Sequence, residues 1–395
     1  MSAVAARRLY IVAYCTLAAA LLWLIVSVVV SSELEQTNPR LALSWRPHDP
    51  PALVQLSQTS LDAGKPADAR SYALEAIARR PHDATAWRLL GQAALAASNQ
   101  TLGEQLLAQA GKLTHRDATL AAWFFEDSVR RRRYADAVQY ADIIMRRAPD
   151  KESAMVFRLA ALAQDDDAIP ALAKALQRNP AWREAFFKEL SSSSANSAAA
   201  GALMQQMAAD GAPLAPAEVS GLLIRMVRDG RAQEAHQLWL TSLPPPARPS
   251  GLVFDPTFIG TPAAAPFGWS LNDEIDSELH MPEPGQPRGL HIVFHGGEGQ
   301  RLVTQTLVLS PGRYRFEAAG HLLEGEEELV RWQLGCKGQP PLLLVLLKGA
   351  LASGSVEFQV SPDCPSPILA LTTLPRESDR PASAVIERAA LEKVG

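Results

Sequence analysis

The sequence predicts a multi-domain chain of three parts: one N-terminal transmembrane helix, an all-α superhelix of repeated helix pairs, and an all-β jelly-roll sandwich. Three observations lead to this prediction. An uncharged apolar run lies close to the N-terminus, and aspartates recur at regular intervals through the middle of the chain. Beyond residue 250 the spacing of apolar residues changes from the helical period to alternation, which is typical of strands.

Composition sets the first limits on function. The chain has 395 residues, of which 47% are hydrophobic, so it can form more than one buried core. Its net charge of −4 argues against a nucleic-acid partner, because such proteins carry a basic footprint.

The apolar run covers residues 9–30 and contains no charged residue. A helix of this length rises roughly 33 Å, enough to cross the hydrocarbon core of a bilayer. Arg7 and Arg8 precede it, whereas Glu33 and Glu35 follow it. This asymmetry predicts a cytoplasmic N-terminus and an exported remainder.

We therefore divide the N-terminal part into cytoplasmic residues 1–8, a transmembrane helix over 9–31 and a linker over 32–48. A cleaved signal peptide is the alternative, since it also combines basic residues with an apolar stretch. The run is longer than most signal-peptide cores, and Val29-Val30-Ser31-Ser32 is a poor cleavage site.

The middle part, residues 49–243, has a period of about 34 residues. The repeated positions are Asp49, Asp83, Asp117 and Asp150. Each unit divides into two helical patterns, and basic residues followed by proline mark helix ends, as in Arg79-Arg80-Pro81.

This pattern resembles the tetratricopeptide repeat, and Trp87-x-x-Leu90-Gly91 stands where that family has its tryptophan, leucine and glycine. Ala69 and Ala137 occupy the small-residue position of the second helix. The closing proline corresponds to Pro81 and Pro149. Three units fit well, and the fit weakens after Lys151.

The resemblance implies a superhelix whose concave groove holds a protein partner. It places six polar residues in that groove: Gln58, Asp62, Arg88, Gln92, Glu126 and Arg130. The alternative is that these are ordinary solvated side chains. The basic run at residues 130–133 is a second candidate contact, for an anionic partner, with the same alternative.

A proline-rich stretch at residues 244–250 is interpreted as a semi-rigid linker. The remaining residues, 251–395, contain short alternating segments separated by Pro and Gly, a pattern typical of a β-sandwich. The predicted strands cover 290–295, 302–309, 314–317, 329–336, 342–347, 356–360, 368–374 and 384–391.

The order of features resembles the jelly-roll carbohydrate-binding modules found beside bacterial polysaccharide enzymes. The matching pieces are Phe267-Gly268-Trp269, the segment 304–314 and the closing segment 384–391. The three parts together look like envelope proteins of Gram-negative exopolysaccharide systems. This resemblance implies an inner-membrane protein with one span and a periplasmic bulk, and either an envelope protein or a polysaccharide as partner.

Cys336 and Cys364 are the only cysteines beyond the membrane helix, which contains Cys15. In an oxidising compartment the two are predicted to form a disulfide. Two buried free thiols are the alternative.

Little in the sequence points to catalysis. Nucleotide-binding, hydrolase and zinc-protease motifs are absent, so we expect no enzyme activity and no cofactor. A structural calcium ion at Asp273, Glu274, Asp276 and Glu278 is a weaker hypothesis. His291 and His295 would lie roughly 13 Å apart on a strand, too far to share one metal ion.

Glycan contact on the sandwich would require exposed aromatic rings. Alternation with Cys336 places Trp332 inside the core, so Trp269 is the best remaining platform. Arg315, Arg331 and Gln333 are the polar candidates beside it.

These observations predict a membrane-anchored periplasmic adaptor that binds a protein partner through its repeat groove. A polysaccharide-binding protein acting through the sandwich is the alternative. An enzyme with an unfamiliar site is a third and weaker hypothesis.

Overall fold

The structure, a computed structural model, forms two compact units, Met1–Arg131 with Gln139–Asp150 and Arg132–Val138 with Lys151–Gly395. It describes residues 3–114, 116–212, 214–272, 275, 277–282, 288–295, 299–324, 328–336, 338–348, 352–375 and 381–394.

The first unit begins with a long apolar helix, α1 (Ala3–Leu34). Its portion Val12–Leu34 has a mean hydropathy of 2.4 and is, among the described residues, the one helix long and apolar enough to cross a membrane. The same length and composition would also suit a signal sequence.

A short helix, α2 (Pro39–Trp45), lies in the segment that the sequence assigned to a linker. Asn38 caps it by accepting a hydrogen bond from the Leu41 amide (3.2 Å), and Pro39 provides the favoured first residue. The Trp45 ring stacks on Trp23 of α1 with centroids 5.7 Å apart. The segment 32–48, which the sequence assigns to a linker, therefore contains this helix.

The rest of the first unit consists of paired helices. Asp83 and Asp117 each accept hydrogen bonds from two backbone amides at the start of a helix, so these two repeated aspartates cap their helices. The helices are α3 (Pro50–Asp62), α4 (Pro66–Arg79), α5 (Ala84–Ala96), α6 (Gln100–Leu113), α7 (Ala118–Arg130) and α8 (Tyr134–Arg147), whose first residues belong to the second unit.

Small residues let the paired helices approach each other closely. Ala69 and Ala76 of α4 are fully buried. A Cβ atom on Gly91 would lie 2.8 Å from Leu107 Cγ, so α5 and α6 could not pack at this distance with a larger residue there.

The second unit continues the helical region with less regular spacing. The fourth pair departs from the repeat because Asp165 caps a short 3₁₀ turn, Asp166–Ala168, in place of the usual interhelical turn. The helices are α9 (Glu152–Leu162), α10 (Ile169–Leu176), α11 (Arg183–Leu190), α12 (Ser194–Ala209), α13 (Pro216–Arg228) and α14 (Ala232–Ser242).

Two five-stranded antiparallel sheets then form the predicted sandwich. Sheet A has the order β1-β4-β9-β6-β7, and sheet B has the order β2-β3-β10-β5-β8. The strands are β1 (Ser270–Leu271), β2 (Ser277–His280), β3 (Leu290–Phe294), β4 (Arg301–Thr306), β5 (Gly312–Glu324), β6 (Glu328–Gly335), β7 (Leu343–Lys348), β8 (Ala352–Val360), β9 (Ile368–Thr373) and β10 (Ala382–Lys393).

Alternation along the strands fills the space between the sheets. On β5, Tyr314 and Phe316 are buried, whereas Arg315 and Glu317 are partly exposed. Trp332 of β6 is fully buried, as its position relative to Cys336 predicted. The sequence missed β1 and β2 because they are short and β2 (Ser-Glu-Leu-His) contains a single apolar residue.

A buried aromatic cluster joins the last helix to the sandwich within the second unit. Trp239 of α14 is 1% exposed, and its ring centroid lies 5.4 Å from that of Phe254 and 5.6 Å from that of Phe267. His236 completes this helix–sandwich cluster, with its ring 5.0 Å from Phe267. These ring contacts connect the residues on both sides of the proline-rich stretch, which stays a predicted linker.

The segment after the prolines is also held by hydrogen bonds. The buried Gln305 amide accepts from the Phe254 amide (3.0 Å) and donates to the Phe254 carbonyl (3.1 Å). Gln305 thereby satisfies both polar groups of a buried backbone position.

Cys336 and Cys364 form the predicted disulfide, with Cα atoms 5.7 Å apart and a sequence separation of 28. Cys336 follows β6, and the fully buried Cys364 precedes β9, the strand beside β6 in sheet A. The bridge therefore closes one end of two neighbouring strands.

We expect Trp239→Ala to destabilise the second unit by about 3–5 kcal/mol, because it removes the central ring of the helix–sandwich cluster. Limited proteolysis within residues 244–250 should become faster. Phe157→Ala is the control, since Phe157 is 61% exposed on α9. Equal proteolysis of the Trp239 variant and the wild type would contradict this role.

We expect the Cys336→Ser, Cys364→Ser double variant to lower the stability of the sandwich by about 3 kcal/mol. Hydrogen exchange of the α3–α6 amides should be unchanged, because those helices lie in the other unit. Alkylation of both thiols in the protein isolated without reductant, detected by mass spectrometry, would show that the bridge does not form.

Candidate binding surfaces

The predicted groove residues of α3 and α5 form local pairs. Gln58 donates a hydrogen bond to Asp62 (3.0 Å). Arg88 donates to Gln92 (2.8 Å) and forms an ion pair with Asp117 (2.8 Å). Arg88 is 8% exposed, so it ties one repeat to the next. The structure thus places the predicted groove residue Arg88 in a mostly buried contact between repeats.

The predicted groove residues of α7 are exposed, and Arg130 already has carboxylate partners. Glu126 faces solvent. Arg130 lies 2.5 Å from Asp127 and 3.5 Å from Glu104, and Arg131 also pairs with both carboxylates. Burial acts to raise the pKa of Asp127, but the hydrogen bonds from the two arginines outweigh it and lower that pKa.

The other half of the basic run is also neutralised. Asp165 accepts hydrogen bonds from Tyr134 and Arg132, and these lower the pKa of Asp165 to about 2. Arg133 lies 3.8 Å from Asp136. Residues 130–133 therefore connect neighbouring helices and turns, and each of the four arginines has a carboxylate partner.

A cavity of about 470 Å³ lies between α6, α7 and α8 in the first unit, and we call it the interrepeat cavity. Phe124 and Tyr140 stack along it with ring centroids 5.0 Å apart. A Cβ atom on Gly111 would lie 2.7 Å from the Phe124 ring, so this glycine lets the ring pack against α6. Lys112 and Asp117 add charged groups to the lining.

The interrepeat cavity lies on the other side of α7 from the predicted groove. Glu126 comes two residues after Phe124, which turns the side chain by roughly 200° around the helix. Sequence reasoning missed the cavity because the resemblance directed attention to the groove positions. The available signal was a glycine and two aromatic residues on three successive helices.

On the sandwich, Trp269 is not an open platform. Its ring stacks on Phe258 (5.0 Å) and lies 5.8 Å from Trp332, and its indole N–H donates to the Asp255 carbonyl (3.1 Å). The structure thus places Trp269, the predicted glycan contact, partly buried against the core. Trp269 caps the core between the sheets.

The structure separates the polar residues proposed beside Trp269. Arg315 lies on sheet B and pairs with Glu357 (2.7 Å) and Glu392 (3.1 Å). Arg331 and Gln333 lie together on β6 in sheet A, where Arg331 donates to the Thr372 hydroxyl (3.2 Å). The outer faces of different sheets carry these two groups.

Every Phe, Tyr and Trp beyond residue 250 is buried or packed against the core. The sandwich therefore offers no exposed ring on which a sugar could stack, although its apolar surface includes Leu344 and Leu346 on β7.

Three of the predicted calcium ligands, Asp273, Glu274 and Asp276, lie outside the described residues. Within the described part of the chain, no group of three or more His, Cys, Asp or Glu side chains could hold a metal ion. His291 is exposed, and His295 lies 3.6 Å from Glu278.

Comparison with known proteins gives similar folds for both regions. No protein-family description matches the chain, and no curated protein matches it. YrrB, described as a tetratricopeptide repeat protein with an unusual peptide-binding site, is 9% identical, with 52% of this chain and 91% of that chain covered and a TM-score of 0.30. PilF of Pseudomonas aeruginosa is 15% identical, with 49% and 74% covered and a TM-score of 0.26.

Over the β region, the chain is similar to TmCBM61, which was solved in complex with β-1,4-galactotriose. The identity is 12%, 32% of this chain and 88% of that chain are covered, and the TM-score is 0.24.

His236 makes the helix–sandwich cluster sensitive to pH, because burial lowers its pKa. The folded state therefore favours the neutral ring, and the unfolded chain binds a proton more readily. The resulting stability is present above the unfolded pKa of about 6.5 and is lost as pH falls from there towards the folded pKa. We expect the melting temperature of the second unit to fall between pH 7.5 and pH 5, and to fall less in His236→Gln. Equal pH dependence in both proteins would contradict this assignment.

Proposed function

We propose that the protein is a non-catalytic, membrane-anchored adaptor of the cell envelope. The helix α1 would hold it in the inner membrane with the N-terminus in the cytoplasm and the bulk in the periplasm. Its helical repeats would bind a segment of a protein partner in exopolysaccharide or envelope assembly. The interrepeat cavity is the observation that carries this proposal.

The interrepeat cavity has the properties of a site for an apolar anchor residue. Its volume of about 470 Å³ falls within the range of ligand pockets, and the stacked Phe124 and Tyr140 rings supply apolar surface. Lys112 and Asp117 can fix the orientation of a bound segment through polar contacts. The close contact between Gly111 and Phe124 holds the ring in place before binding, which reduces the entropy cost.

The groove keeps a secondary role in this proposal. Gln58, Asp62 and Glu126 remain at least partly exposed and can contribute polar contacts around a partner. Arg88 cannot, because its guanidinium is used between repeats.

Polysaccharide binding by the sandwich is the second candidate function. Arg331, Gln333 and Thr372 form a polar group on sheet A that could bind sugar hydroxyls. We rank this function lower because no aromatic ring accompanies them. Arg331→Ala tests it, whereas Trp269→Ala would disturb the core.

Ala108 lines the interrepeat cavity and is exposed, so Ala108→Trp should obstruct the cavity without changing the core. We expect this change to weaken partner capture by at least tenfold, a loss of about 1.4 kcal/mol. Capture is measured by quantitative pull-down of the full chain from its native envelope. Ala67→Trp on the exposed surface of α4 is the matched control.

Photo-crosslinking identifies which surface of the protein contacts the captured partner. A benzophenone amino acid at position 108 should crosslink the captured protein, and the same group at position 58 or 331 should do so less. Crosslinking from position 331 alone, with Ala108→Trp behaving as wild type, would overturn the proposal and favour the sandwich.

Topology has a separate test. A reporter that is active only in the periplasm should be active when fused after residue 395, and the mature protein should retain Arg7 and Arg8. A processed N-terminus near Ser31 would show that α1 is a signal peptide and not an anchor.

A further inference from the structure

A second cavity lies within the second unit, between α14 and one end of the sandwich. It has a volume of about 670 Å³, and we call it the C-terminal cleft. The wall from α14 carries Gln233, His236 and Gln237, and the wall from the sandwich carries Ser310, Tyr314 and Lys393. The protein-binding function proposed above does not use these residues.

Lys393 is an ordered cation in this cleft. Its ammonium group donates a hydrogen bond to the Ser310 hydroxyl (2.9 Å) and lies 5.9 Å from the centre of the Tyr314 ring. Its stem crosses Gly312, where a Cβ atom would lie 2.9 Å from Lys393 Cε. One hydrogen bond, one cation–π contact and the close approach to Gly312 therefore hold a side chain that would otherwise be mobile on the surface.

The charge of Lys393 is not neutralised within the described residues, because its polar contacts there are a hydroxyl group and an aromatic ring. The neighbouring Glu392 pairs with Arg315, and Glu234 of the opposite wall pairs with Arg231 at 2.6 Å. Among the residues that the structure describes, Lys393 is therefore the cation of the cleft that has no carboxylate partner. That charge complements a single anionic group on a ligand.

The other lining groups suit a peptide. Gln233 and Gln237 can each donate to and accept from a peptide amide. Leu252, which is 40% exposed, and Val308 offer apolar surface for one side chain. A stacked sugar ring fits less well, because Tyr314 is 2% exposed and Lys393 lies over its face.

We infer that the C-terminal cleft binds the carboxyl-terminal end of a peptide chain, with the terminal carboxylate on Lys393 and Ser310 and the last apolar side chain against Leu252 and Val308.

The test uses the full chain in detergent and isothermal titration calorimetry with acetyl-Gly-Gly-Leu carrying a free carboxylate. We expect the carboxamide of the same peptide to bind at least about tenfold more weakly, because it lacks the charge-assisted hydrogen bonds. Lys393→Met should cause a similar loss for the free acid and little further loss for the amide. Lys174→Met on the exposed surface of α10 is the matched control.

Three outcomes would overturn the inference. The first is equal binding of the free acid and the amide, and the second is no binding of either peptide. The third is binding of glucuronate without binding of the peptide, which would assign the cleft to an acidic sugar. Loss of binding in Ala108→Trp and not in Lys393→Met would place peptide recognition at the interrepeat cavity. With this result the inference about the C-terminal cleft would be wrong, whereas the proposed adaptor function would still stand.

Discussion

Burial of Trp239 is the constraint on which the organisation of the second unit depends. Neither α14 nor the sandwich edge could leave these rings in water, since each aromatic residue contributes a large apolar surface. Packing of Trp239 against Phe254 and Phe267 fixes where the chain leaves the helical region and where it enters the sandwich. Gln305 then holds the entering backbone, and the walls of the C-terminal cleft follow from this arrangement.

Charged residues in this protein act mainly as connectors between structural elements. Arg88 links α5 to the N-cap of α7, and Arg132 links the turn before α8 to the turn after α9. On sheet B, Arg315 lies between two glutamates of neighbouring strands. Because these charges are paired within the protein, we expect partner binding at the few places where exposed apolar or charged groups have no internal partner.

The period and alternation of the sequence predicted the fold well. The regular aspartates gave the period of the helix pairs, and Asp83 and Asp117 cap helices because such a side chain acts within two or three residues of itself. Strand positions could be predicted from alternation, because this pattern also depends only on residues that are close in sequence. The short strand β2 and the helix α2 were missed, since tertiary packing decides whether such short segments become ordered.

The candidate sites were harder to predict, because they depend on contacts between residues distant in sequence. Arg88 looks like a groove residue until Asp117 is placed beside it, and Trp269 looks exposed until Phe258 and Trp332 are placed on either side. A cavity has no sequence pattern of its own, since it arises from what three helices fail to fill.

The short helix α2 bears on how the protein would encounter its partners. Ala42 is fully buried, Ser27 and Ser31 of α1 are also buried, and Leu43 packs into the core of the first repeat beside Leu53. With α1 in a bilayer, this packing would limit how far the first repeat can swing from its anchor. The protein and a partner confined to the same membrane would then meet by lateral diffusion, and the effective concentration of the partner near the first repeat would be high. Under those conditions a partner in the membrane would be held at a lower intrinsic affinity than a freely diffusing partner requires.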